Sequence, residues 1–76
     1  MSRIAIRYCV VWNYRPRAAR VAEILQDEFK LDVDLVEGNR GEFTVWVDGN
    51  NVAKKIGDDF PPEEEVVTAV RKAIAA

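Results

Sequence analysis

Ile4-Ala5-Ile6-Arg7-Tyr8 is a short run rich in β-formers that gives way to a segment holding Asn13 and Pro16, which predicts a strand leading into a helix start. From Pro16 the period changes. Ala18, Val21, Ala22, Leu25 and Phe29 recur at three- and four-residue spacing, one apolar stripe along a helix of about four turns, and proline is favoured in a first helical turn. Leu31, Val33 and Leu35 then alternate with Asp32 and Asp34, the period of a half-buried strand, and Glu37-Gly38-Asn39-Arg40-Gly41 follows as a turn. Phe43, Val45 and Val47 alternate again. Asp48-Gly49-Asn50 supplies residues that tolerate positive φ, and Val52 to Ile56 is the expected return strand of a hairpin. After a loop from Gly57 to Pro62, Glu63-Glu64-Glu65 puts acids in the first turn of a second helix, where the helix dipole favours them, and Val66, Val67, Val70 and Ile74 form its stripe.

The order strand, helix, strand, strand, strand, helix runs over residues 1–76 with no repeat and no linker, so one domain is expected. A right-handed crossover makes the first two strands parallel, and the hairpin adds an antiparallel pair. The simplest compact arrangement is an α/β fold of the α+β kind, a two-layer sandwich with a four-stranded mixed sheet and both helices on one face. A domain of this size buries only roughly 60% of its extended-chain surface, so any cleft is shallow.

Composition narrows the chemistry. A hydrophobic fraction of 49% and a charged fraction of 32% are globular values. The chain has no histidine, which removes Cys/His zinc sites, Ser-His-Asp triads and Cys-His proteases. A single cysteine excludes a disulfide framework, and with neither a signal peptide nor a long apolar segment the expected setting is the cytoplasm. The net charge of −2 offers no global attraction for nucleic acid or an anionic membrane, and neither is expected as a partner. Locally the balance differs: Arg3, Arg7, Arg15, Arg17 and Arg20 all precede the first acid, Glu23, so the segment around Cys9 is electropositive, although a solvated face accounts for such a run equally well.

The cysteine lies in YCVVWNYRPRA, Tyr8 to Ala18, at the junction of the first strand and the first helix, where a C-x-x-C redox motif would sit. Trp12 fills the place of the second cysteine. This segment resembles the selenoprotein W-like, or Rdx, family, which opens with a strand, then Y-C-x-x-C (or selenocysteine)-x-Y or W, then R-A at the helix start. Tyr8, Cys9, Tyr14, Arg17 and Ala18 occupy those places, Gly41 to Gly49 is similar to its G-x-F-x-V-x-V-D-G hairpin, and Lys54-Lys55 through Phe60-Pro61 to its K-K-x-x-G-x-F-P segment. The resemblance implies a thioredoxin-like β-α-β-β-β-α fold and redox chemistry at Cys9. The dithiol mechanism does not carry over, because Trp12 replaces the second chalcogen, and the proline that faces the thiol in many thioredoxin-like proteins is also missing, with Gly41 and Glu42 before Phe43 instead.

What remains for Cys9 as a catalytic residue is monothiol exchange, with protein thiols or glutathione as partners and glutathione as co-substrate rather than a bound cofactor. The thiolate is the reactive form, so its pKa must be lowered; the amino end of the first helix and the nearest cations in sequence, Arg7, Arg15 and Arg17, are the candidates to lower it. The plain alternative is an inert, buried cysteine packed as a small hydrophobe. Trp12, Tyr14, Trp46 and Phe60, with Arg15 and Arg17 nearby, raise a second class of function: a non-catalytic protein-interaction module at the thiol end of a monomeric domain. Against it, Trp46 could simply cover the open face of the sheet and Tyr14 pack beneath the first loop.

Overall fold

The computed structural model describes residues 2–75; Met1 and Ala76, the outermost residues of the domain expected over 1–76, lie outside the described residues. The chain runs β1 (Ile4–Tyr8), α1 (Arg15–Phe29), β2 (Val33–Glu37), β3 (Phe43–Val47), β4 (Asn50–Lys54) and α2 (Glu63–Ala75). The four strands lie in the order β2-β1-β3-β4. β1 is parallel to β2 and antiparallel to β3, and β3 is antiparallel to β4.

The period-two pattern decides which face each strand buries. Ile4, Ile6 and Tyr8 on β1 and Phe43, Val45 and Val47 on β3 are all buried, and they meet Ala18, Val21, Ala22 and Leu25 of α1 and Val66 and Val70 of α2 in one core. Both helices therefore cover the same face of the sheet. The opposite face carries Ala5, Arg7, Val36 and Trp46 and has no helix over it.

Two boundaries differ from the sequence expectation. β4 starts at Asn50 rather than Val52, because Asp48 and Gly49 both take positive φ, 51° and 85°, and make a two-residue hairpin turn whose twist matches the strands. The pairing shifts register between Val45 and Trp46, and Ile56 leaves the strand to form an isolated bridge with Asp59. β2 starts at Val33 rather than Leu31, because Lys30 closes α1 in the left-handed conformation (φ 56°) with its N–H on the Gln26 carbonyl; Leu31 still packs against the core from the connection. On α2 the stripe is graded: Val66 and Val70 are buried, and Val67 and Ile74 only partly so. Among the described residues no helix is long and apolar enough to cross a membrane.

Candidate functional site

Cys9 is the first residue beyond β1, an inner strand of the sheet, and backbone pairing fixes it on both sides. Its N–H donates to the Glu42 carbonyl at 2.8 Å, and its carbonyl accepts the Tyr14 N–H at 3.0 Å. Between these anchors the chain turns through Val10 to Asn13: the Asn13 N–H donates to the Val10 carbonyl, and Asn13 takes a φ of 57°, a conformation asparagine tolerates. The turn brings the Trp12 N–H back onto the Cys9 Sγ at 3.3 Å. The thiol itself is buried, with Cys9 only 1% exposed.

The second wall of the site is the β2–β3 turn. The Gly38 N–H donates to the Tyr8 carbonyl and the Glu42 N–H to the Asn39 carbonyl, which sets Arg40 and Gly41 beside the cysteine. Gly41 has a φ of 75°, and a Cβ there would lie 2.8 Å from Cζ3 of Trp12, so glycine is required both by conformation and by the indole pressed against it.

Burial pushes the Cys9 thiol up and is the largest single influence, but the backbone N–H groups of Gly41, Trp12 and Val11, with the Arg40 guanidinium, together outweigh it. The net effect is a thiol that ionises below its ordinary value. These donors come from the two loops and not from α1, whose first residue is Arg15. The three nearest arginines in sequence are occupied elsewhere. Arg7 lies with its Nε 3.2 Å from Glu42 Oε2, Arg15 donates to the Tyr8 hydroxyl at 2.7 Å, and Arg17 stacks on Phe60 with its guanidinium carbon 4.1 Å from the ring centroid. The sequence expectation of Arg7, Arg15 and Arg17 is therefore corrected to Arg40, because the cation that acts arrives from the β2–β3 turn rather than along the chain.

The aromatic residues separate into two places. Trp12, Tyr14 and Phe60 form an edge-to-face series, with centroids 6.0 Å apart for Trp12–Tyr14 and 4.9 Å for Tyr14–Phe60, which continues at 5.3 Å to the core residue Phe43. With Pro16, Arg17 and Glu63 they line a shallow hollow of about 670 Å³ beside the thiol loop. Trp46 is not part of it: the indole lies on the open face of the sheet and donates Nε1–H to the Thr44 hydroxyl at 2.8 Å. Val10, Val11 and Trp12 are 50%, 72% and 51% exposed, three apolar neighbours on the rim of the site. Sequence reasoning missed Val10, Val11 and Arg40 as site residues, and it noted Gly41 and Glu42 as turn and hairpin-motif residues standing where a proline is missing, not as part of the site. Strand register held the missing signal. Tyr8 faces both Glu37 and Phe43, so the residue after Tyr8 must meet the turn that joins them. Among the described residues no group of three or more Cys, Asp or Glu is placed to hold a metal ion.

A sheet with an inner first strand, a cysteine at that strand's carboxyl end, and a helix that begins just beyond it define a thioredoxin-like fold. The Rdx family model matches residues 3–72, and the chain belongs to the Rdx family, that of the selenoprotein W-related proteins. Among solved structures it is similar to a selenoprotein W-related protein from Vibrio cholerae, with 25% identity, 96% of each chain covered and a TM-score of 0.86. It is also similar to a protein from Bordetella parapertussis, with 33% identity, a TM-score of 0.85, and 95% of this chain and 96% of that one covered. No curated protein matches the chain.

Proposed function

We propose that the protein carries out monothiol exchange through Cys9, with glutathione or a protein thiol as the second party. The observation that carries this reading is the setting of the sulfur: three backbone N–H groups and one guanidinium favour the thiolate against the burial that opposes it. In the reaction the Cys9 thiolate attacks one sulfur of glutathione disulfide. A bond forms between Sγ and that sulfur, the original disulfide bond breaks, and the second glutathione departs as a thiolate with the electron pair; Cys9 is oxidised and one glutathione is reduced. A further glutathione thiolate reverses the process at Cys9. No intramolecular resolution follows, because the third residue after Cys9 is Trp12.

Intact-mass measurement after incubation with oxidised glutathione tests this directly. One glutathione should add to the wild-type protein and none to Cys9→Ser, while insulin reduction stays at background in both. Failure of the wild type to accept glutathione on folded protein rejects the exchange reading, and robust insulin turnover rejects its monothiol form.

A second reading is favoured by the rim. Three consecutive exposed apolar residues, Val10 to Trp12, together with Arg17 stacked on Phe60, make a surface suited to a protein partner at the thiol end. The two readings are compatible, since a mixed disulfide with a protein requires a docking rim around the sulfur.

A further inference from the structure

The β2–β3 turn is tied by a carboxylate that takes no part in the exchange itself. Glu42 Oε1 accepts the Asn39 N–H at 2.8 Å, and Oε2 accepts the Thr44 hydroxyl at 2.7 Å. Arg7 Nε, buried and without an aligned hydrogen-bond partner, lies 3.2 Å from the same Oε2, so its attraction is ionic. The Glu42 side chain is only 14% exposed. Its main chain meanwhile faces the thiol loop: the carbonyl accepts the Cys9 N–H at 2.8 Å, and the N–H donates to the Asn39 carbonyl at 3.0 Å. Asn39 is thus bound to Glu42 twice, once through the backbone and once through the carboxylate. The two residues enclosed by that double tie are Arg40 and Gly41, whose guanidinium charge and backbone N–H both draw the Cys9 thiol downward.

We propose that Glu42 is a positioning residue for the Cys9 thiolate: its carboxylate fixes the Asn39–Gly41 turn so that the Gly41 N–H and the Arg40 guanidinium meet the sulfur. This deepens, and rests on, the thiol-exchange reading. The sign of the effect separates it from simpler roles. A carboxylate acting on the thiolate only through space disfavours it, so deleting that charge would lower the thiol midpoint. A carboxylate that only stabilises the fold would change the melting temperature and leave the midpoint where it was. A positioning role raises the midpoint, because the turn loosens and the two groups it presents move off the sulfur.

The experiment follows the Cys9 Cβ chemical shift by carbon NMR as a function of pH in wild type, Glu42→Ala and Glu42→Gln, with circular dichroism to establish folding. Glu42→Ala should move the midpoint up by about half a pH unit or more, which is about a threefold loss of thiolate at neutral pH. Glu42→Gln, whose amide oxygen still accepts the Asn39 N–H, should recover part of that shift. An unchanged or lowered midpoint in folded Glu42→Ala overturns the proposal. Should Glu42→Ala fail to fold, Glu42→Gln decides alone: a raised midpoint supports the proposal and an unmoved one overturns it. A wild-type midpoint at or above about 8.5 rejects the exchange reading, and it takes the Glu42 role with it only where the variants also leave the midpoint unmoved.

Discussion

The sulfur of Cys9 is favoured as a thiolate yet shut away, and one residue carries much of that contradiction. Trp12 donates its backbone N–H to Sγ while its ring rests on Gly41, across the two loops that flank the sulfur. In the proposed exchange, attack on a disulfide needs an open line to the sulfur, and the Trp12 ring, packed on the turn beside the thiol, is the group whose removal tests what closes that line. Trp12 is already 51% exposed, so removing its ring sacrifices less than the roughly 3–5 kcal/mol of a core Trp→Ala change. Trp12→Ala should keep the backbone donor and lose the cover: iodoacetamide labelling of Cys9 at neutral pH should speed up severalfold with the thiol midpoint little changed. A labelling rate equal to wild type would mean that something other than the indole shields the sulfur. Cys9 and Trp12 were legible in the sequence because they are near neighbours. Arg40 was not, since it lies about thirty residues downstream and reaches the thiol only through strand pairing, which orders residues by register and not by distance along the chain.

At the level of elements the periodicities carry the fold. α1 and β3 match their expected stripes closely, because a stripe that ends up buried is also the feature that selects helix or strand. The misplaced boundaries, at β2 and β4, fall where a single residue in a left-handed conformation ends or turns an element, Lys30 in one case and Asp48 in the other. Lys30 does not announce itself by residue type, whereas Asp48 and Gly49 do announce a turn, but not that two residues suffice to close it and leave Asn50 in the strand. Leu25 is the strongest test of the packing between α1 and the sheet, as it is fully buried at the centre of the α1 stripe and belongs to the same core as Ile4, Ile6 and Val45. Leu25→Ala should destabilise the protein by about 2–5 kcal/mol, read as a fall in the urea midpoint at unchanged slope. In a domain this small that is a large fraction of the total stability, so loss of the folded baseline at room temperature is within the expected outcome. A change below about 1 kcal/mol would mean that α1 does not pack through this residue.

For the molecule as a whole, the uncovered face of the sheet and the thiol end are joined through one polar chain: Trp46 to Thr44, Thr44 to Glu42, and Glu42 to the turn that meets Cys9. That chain has a consequence for stability against pH. Burial pushes the Glu42 carboxyl up and is its largest single influence, but the Asn39 N–H, the Thr44 hydroxyl and the Arg7 charge outweigh it and hold the group below its ordinary value. A carboxylate whose pKa is depressed in the folded state contributes stability that is fully present above its unfolded value of about 4.3 and is lost as pH falls through the folded value. Glu42→Gln cannot be protonated in that window, so this one contribution is missing from its pH dependence. At neutral pH the variant should be less stable than wild type by about 1.5–3 kcal/mol, the range for hydrogen bonds to a charged group, here one that is mostly buried. As pH is lowered from 6 towards 3 the two urea midpoints should converge, with the wild type falling and the variant falling less. Parallel curves over that range would show that Glu42 keeps the same proton affinity in the folded and unfolded chains, and that the network joining the open face to the thiol does not depend on its charge.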